Sequence, residues 1–307
     1  MKRSGWSGVC GGGRSRAAYS PGKGVARLLS GRSFWKLTGS GNDFVFFDAR
    51  AGVDQQLLDP VVIDALCDRR SGVGADGIVL FEPPVESGEL YSIRYFNRDG
   101  TLAEMCGNAA LCGVRIAQLL GVAPQNGTEP FAFHTSSGRL LGRSASADRD
   151  PQILMPAPGE VAATCEIARG DGEQRLGFAR VGVPHLVLVV DDLDRVDVEG
   201  RGRELRMHPS LRDGANVNFI SLVGPARWAM RTYERGVEAE TLACGSGAVA
   251  VATLLAAWGL EPQGRDVTVI TRGGRPLVVT WSQVGEQMQP FLSGEGRLVY
   301  SGVLADE

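Results

Sequence analysis

One stretch of this chain is written twice. Residues 104–121 place Cys106 before a glycine and a small polar residue. About three helical turns of mostly apolar side chains follow, closed by Gly121. Residues 242–259 repeat that pattern from Cys244 to Gly259. The match extends upstream. Arg94, Phe96 and Asn97 correspond to Arg231, Tyr233 and Glu234 at an offset of 137, and the cysteines at 138, so the second copy has one extra loop residue. Earlier, Arg70-Ser-Gly72 with the run from Ile78 resembles Arg212-Asp-Gly214 with the run from Phe219. Earliest of all, the block from Gly39 through Asn42 to Asp48 parallels the block from Gly182 through His185 to Asp191. Four blocks in one order predict two similar domains facing each other across one cleft.

Short runs rich in β-branched and aromatic residues, bounded by turn residues, read as strands: 44–47, 78–81, 186–190, 219–223 and 267–271. Helices are expected after each cysteine and over 59–68. The segment after Cys244 is apolar all round, so it should be buried all round. The class that satisfies this is α+β: two pseudo-symmetric domains, each a strand-rich sheet wrapped around a central helix, with the site in the cleft between them. We place the first domain at 34–150, with a closing strand near 292–307, and the second at 151–291.

The first 33 residues hold seven basic side chains, no acidic one and eight glycines, which takes the net charge from −3 for the whole chain to −10 for the rest. They read as a disordered Gly/Arg/Ser arm, with an organelle transit peptide or a misplaced start as the other readings. The acidic body disfavours nucleic acid, and no run approaches the ~18 apolar residues of a membrane span. Six cysteines in 307 residues do not make a disulfide scaffold, so free thiols and the cytoplasm are expected. The three histidines, 134, 185 and 208, form no metal-ligand cluster, and no metal or other cofactor is implied. Gly72-Val-Gly-Ala-Asp-Gly77 has dinucleotide-binding spacing but leads into a strand rather than a helix.

A helix N-terminus offers unpaired N–H groups and a positive dipole end, which favour a thiolate and can hold a carboxylate. Gly107-Asn108 and Gly245-Ser246 should therefore form one anion site. A substrate carboxylate pinned there sets its α-carbon between Cys106 and Cys244. One thiolate removes the α-proton, the opposite thiol delivers another, and the stereocentre inverts. Cys10, Cys67, Cys112 and Cys165 read as inert small hydrophobes.

Together these blocks resemble the diaminopimelate epimerase family. The resemblance rests on the run Phe34–Phe44, on Arg69–Asp76, Phe96-Asn97-x-Asp-Gly, Cys106-Gly-Asn108 and Pro184-His185. Asn216-Val-Asn-Phe, Tyr233-Glu-Arg-Gly and Thr241-Leu-Ala-Cys244-Gly-Ser-Gly complete it, and Val299-Tyr-Ser-Gly fits a closing strand. It implies a cofactor-independent epimerase acting on 2,6-diaminopimelate, with Cys106 and Cys244 as the acid/base pair. It further implies that Gly107, Asn108, Gly245 and Ser246 hold the reacting carboxylate. Asn42, Asn97, Asn216, Glu234 and Arg235 would recognise the distal head, and His185 and Glu234 would tune the cysteines. Glu beside Arg independently suits a zwitterion, the guanidinium forking a carboxylate and the carboxylate taking an ammonium. The chain departs from the family at Val183, where Asn is usual, and at Gly77, where Gln is usual. A racemase of another amino acid, or a non-catalytic amino-acid binder, are the other readings. The partner is a small molecule, and a homodimer is compatible with it.

Overall fold

Alternating strands and turns build both halves. The computed structural model describes residues 30–103, 106–127, 129–147 and 149–305; residues 1–29, and Cys10 with them, lie outside the described residues. The first half runs β1 (Ser33–Gly39), β2 (Asn42–Asp48), β3 (Gly77–Glu82), β4 (Glu89–Asn97), β5 (Phe131–Thr135), β6 (Gly138–Arg143) and β7 (Gln152–Leu154). Its neighbours pair antiparallel, parallel, antiparallel, parallel, antiparallel and antiparallel in turn. The second half runs β8 (Val161–Ala162), β9 (Glu173–Val181), β10 (Val183–Val190), β11 (Asn216–Gly224), β12 (Arg227–Glu234), β13 (Ala239–Thr241), β14 (Val267–Ile270), β15 (Pro276–Val284) and β16 (Gln287–Ser293). From β9, leaving aside the short β13 hairpin, the same alternation recurs. The last strand, β17 (Arg297–Val303), returns to pair with β1. Across the halves, β7 pairs antiparallel with β16. The ladder reaches into the end of the basic arm: Gly31 N–H donates to Leu304, Leu304 N–H donates to Arg32, and Ser33 already belongs to β1.

Four α-helices complete the fold among the described residues: α1 (Pro60–Cys67), α2 (Gly107–Leu119), α3 (Val198–Arg206) and α4 (Gly245–Ala257). At α1, Asp59 accepts from Val61 N–H and Pro60 takes the first position, where its missing N–H costs nothing. The central helices end alike. Gly121 and Gly259 adopt φ of +70° and +68°, the left-handed cap that glycine enters without a Cβ penalty. One apolar core spans both halves, holding Leu111, Val114 and Ile116 of α2 and Val249, Val251 and Leu254 of α4. Each central helix is thus wrapped by its own strands, while α1 and α3 pack outside on separate clusters.

The strand register corrects one part of the sequence match. Tyr95 pairs with Val79 as Thr232 pairs with Asn218. Val79 pairs with Phe46 as Asn218 pairs with Val187. Two residues back along the same face, Phe44 therefore corresponds to His185. The apparent match of Asn42 with His185 is two residues out, because the turns differ. Ser40-Gly41 turns β1 into β2 with φ of 49° and 112°, whereas Gly182 alone separates β9 from β10.

Candidate active site

Oxygen-bearing side chains are the usual helix N-caps, yet Cys106 and Cys244 hold those positions on α2 and α4. Neither side chain caps its helix, and their φ values, −138° and −135°, are nearly the same. Each sulfur stands beside a first turn whose N–H groups lack intrahelical partners.

The β7–β16 ladder brings the two helix mouths together. Ile153 and Leu292 are direct partners, and such pairs lie about 5 Å apart at Cα. A Cβ on Gly107 would meet Ile153 Cδ1 at 3.8 Å; one on Gly245 would meet Leu292 Cδ2 at 2.7 Å. The mouths abut adjacent side chains, and only at position 245 would a Cβ require the neighbouring side chain to shift. The halves also touch at the β1–β2 turn, where a Cβ on Gly41 would lie 3.1 Å from Leu242 Cβ, two residues before Cys244.

In the first half, Asn108 Nδ2 donates to Asn42 Oδ1 at 2.8 Å, and Asn42 Nδ2 donates to Asp76 Oδ2 at 2.9 Å. Asp76 also accepts from Arg69 at 2.8 Å, and Arg69 forks onto Asp43 at 2.8 and 2.7 Å. The nearly buried Lys36 ammonium lies 2.6 Å from Asp43 and donates to the Gly74 carbonyl. Despite the burial opposing it, hydrogen bonds from Arg69 and Lys36 hold the Asp43 carboxyl down at about 2. An ionic cluster thus fixes Asn42, which orients Asn108. Asn42 is not a turn residue; the positive φ values belong to Ser40 and Gly41.

In the second half, Asn218 Nδ2 donates to the Leu186 carbonyl at 2.9 Å and faces His185 Nδ1 at 3.3 Å. Thr232 Oγ1 donates to Asn218 Oδ1 at 3.0 Å. A Cβ on Gly247 would lie 2.4 Å from Asn218 Oδ1 and 3.1 Å from Cys244 Sγ, so this cluster sits directly beneath the second thiol. Ser246 Oγ is 3.7 Å from Cys244 Sγ. Asn216 Oδ1 accepts from Arg235 N–H at 2.8 Å, and the Arg235 guanidinium donates to the Asp213 carbonyl at 3.0 Å. Asn97 turns away, its amide donating to Thr101 Oγ1 at 3.1 Å.

The electrostatics overturn one expectation. Helix mouths favour thiolates, but burial dominates here. It pushes Cys244 up to about 11, with the Glu234 carboxylate adding to the rise and the Ser246 hydroxyl and Gly247 N–H opposing it. Burial raises Cys106 too, against the opposing pull of the nearby Ala109 and Asn108 N–H groups and again with help from Glu234. Both are therefore thiols at neutral pH. One carboxylate thus lies within electrostatic reach of both sulfurs. Glu234 is itself raised by burial, offset by the Thr241 hydroxyl. His185, fully buried, is pulled down to about 3 by burial and by the Arg235 charge, so its ring is neutral. Cys67, Cys106, Cys112, Cys165 and Cys244 are all free thiols.

Four residues that position this site were not singled out from sequence: Asp76, Asp43, Asn218 and Gly247. A signal existed for two of them. Asn216-Val-Asn218 in a strand puts both amides on one face, and glycine at 247 stands where the first copy has Ala109. The ion cluster gave none, since Lys36, Asp43, Arg69 and Asp76 meet only through pairing of β1, β2 and β3.

The sequence profile of the diaminopimelate epimerase family matches residues 34–155 and 177–299. The chain is 42% identical over 282 residues to the diaminopimelate epimerase of Gemmatimonas aurantiaca, covering 89% of this chain and 99% of that one. It is 36% identical over 282 residues to the diaminopimelate epimerase of Aquifex aeolicus, covering 89% and 98%. Among solved structures, a phenazine biosynthesis protein from Bacillus anthracis superposes with a TM-score of 0.65 at 12% identity, covering 88% of this chain and 98% of that one, a likeness of fold.

Proposed function

The chain belongs to the diaminopimelate epimerase family, and we propose that it interconverts LL- and meso-2,6-diaminopimelate by inverting one α-carbon between Cys106 and Cys244. It is an isomerase. The observation that carries the two-cysteine reading is the meeting of two cysteine-capped helix mouths at the Ile153–Leu292 pair, with Glu234 acting on both sulfurs. The N–H groups of both first turns would hold the reacting carboxylate and stabilise charge as the α-proton leaves. Asn108, fixed by Asn42, and Ser246 would add side-chain donors there. Arg235 and Asn216 would receive the distal head.

The resting pair is thiol and thiol, so one proton must leave before turnover. Binding a substrate ammonium beside Glu234 would cancel the charge that raises both sulfurs, and so favour a thiolate in the complex. The donating and accepting sulfurs then exchange roles in the reverse direction. The pure protein in deuterium oxide, with no cofactor added, should place solvent deuterium at the α-position starting from either isomer. Absence of exchange from both would sink the proposal. A reducing cytoplasm suits a reaction that needs both thiols free, and the substrate would be a free amino acid; a homodimer is compatible with this.

Gly77 favours a second reading, a racemase of a different amino acid. A Cβ at 77 would lie 2.2 Å from the Phe96 carbonyl and 2.6 Å from the Tyr95 ring, so no side chain fits there without moving β4. The recognition side chain usual in the family cannot be restored by substitution alone. A substrate panel separates the readings: faster turnover of a mono-amino acid than of diaminopimelate would favour the second.

A further inference from the structure

The two halves differ at one buried spot in a way that points to a device rather than to packing. In the first half, Phe44, Val79 and Tyr95 occupy three neighbouring strands facing α2, and the Phe44 and Tyr95 rings meet edge to face at 5.3 Å. The corresponding positions in the second half hold His185, Asn218 and Thr232, all buried. The helix residue above also changes, from Ala109 to Gly247. A methyl group at 247 would strike Asn218 Oδ1. Placing three polar groups in a core costs free energy unless each is satisfied, and glycine inside a helix costs about 1 kcal/mol. Both costs fall in the half that carries Cys244, and beneath its sulfur.

The hydrogen bonds around Asn218 have only one consistent arrangement. The Leu186 carbonyl can only accept, so it fixes the amide nitrogen on that side. The Thr232 hydroxyl completes the match at the amide oxygen. The amide's second N–H then faces His185 Nδ1, which must accept, leaving the ring proton on Nε2. Nε2 is buried and has no protein partner among the described residues. The charged group that acts on this ring is the Arg235 guanidinium, which opposes protonation of the imidazole. A buried, neutral N–H donor in the field of a guanidinium, with no protein acceptor among the described residues, suits an anionic oxygen.

We propose that Asn218 is a positioning residue that locks His185 in the Nε2–H tautomer, so that the neutral imidazole donates a hydrogen bond to a carboxylate of the amino-acid substrate. The proposal rests on the epimerase reading above for its substrate, but not for the tautomer. His185 on this account neither takes nor gives a proton during turnover.

Nitrogen-15 NMR of the full chain labelled at histidine tests the lock without substrate. The wild-type protein should show one of its three histidines as a fixed Nε2–H tautomer that does not titrate between pH 5 and 8; assignment by His185→Gln, which deletes that signal, identifies it. An Nδ1–H tautomer, or titration in that range, overturns the lock whether or not the protein is an epimerase. Asn218→Asp places an acceptor opposite Nδ1 and should move the proton there, or charge the ring; an unchanged His185 spectrum overturns the role of Asn218. Adding meso-diaminopimelate should shift the Nε2 resonance, and no shift at saturation overturns the donor role. Glutamine offers an amide N–H near the Nε2 position and cannot titrate. His185→Gln should therefore keep kcat within about tenfold of wild type, while His185→Leu should lose ~10²-fold, the typical cost of one oxyanion donor. Equal loss in both variants overturns it too.

Discussion

The two halves floor the site with polar networks of different chemistry. Under the first half lies a partly exposed ionic cluster, Lys36, Asp43, Arg69 and Asp76, that steers Asn42 and through it Asn108. Under the second lies a buried, neutral cluster, His185, Asn218 and Thr232, that lies against Cys244. A duplicated scaffold can give two equivalent sulfurs, as inversion requires. It cannot by itself distinguish one end of a substrate from the other; on the proposed reading the unlike floors would supply that difference.

The strongest way to break the comparison is to remove one sulfur at a time. Cys106→Ala and Cys244→Ala should each cost ~10⁴-fold in the rate of LL-to-meso conversion, the upper range for a positioned acid or base. A variant that keeps wild-type turnover would mean the halves are not equivalent in the chemistry.

Glu234 sits in the second half yet raises both thiols, so Glu234→Gln should act on both. The ascending limb of kcat/KM against pH should move to lower pH, because the repelling charge is gone. KM should rise about tenfold or more from the lost ammonium partner. A limb that stays in place would remove Glu234 from the electrostatics of the pair.

Exchanging the helix residues sharpens the difference between floors. Gly247→Ala forces a Cβ to within 2.4 Å of Asn218 Oδ1, and should cost about 1–3 kcal/mol in urea unfolding, as overpacking does. The reciprocal Ala109→Gly should cost about 1 kcal/mol, the helical penalty of glycine. Equal costs would mean the second floor is no tighter than the first.

Acid should probe the two floors in separate windows. His185 is depressed from 6.5 to about 3, so the unfolded chain takes a proton first and stability falls as pH drops from 6.5 towards 3. Asp43 is depressed from 3.8 to about 2, so its share is present above 3.8 and is lost as pH falls through 2. His185→Gln should remove the early decline and Asp43→Asn the late one, read from unfolding curves across the range. A decline between pH 6 and 4 that survives His185→Gln would assign it elsewhere.

Much of this was legible in order and spacing. The duplicated cysteine blocks announced two domains, two helix mouths and closing glycines, because helix entry and exit are local events written in a few adjacent residues. Asp59 and Pro60 announced α1 in the same way. The first block was misaligned by two residues because glycine-rich turns of different length look alike as strings, while only paired strands fix which side chains share a row.

By itself the sequence determined the kinds of element, their order and the two sulfurs at the helix mouths, since periodicity and caps act over neighbours in the chain. Tertiary structure alone decided that the sulfurs rest protonated. Burial acts on a charge through everything that surrounds it, and here it outweighs the helix ends that the sequence displays. It also decided the two floors. Asn218 meets His185, and Asp76 meets Asn42, only where separate strands align, and hydrogen bonds at about 3 Å have no signature in spacing along a chain.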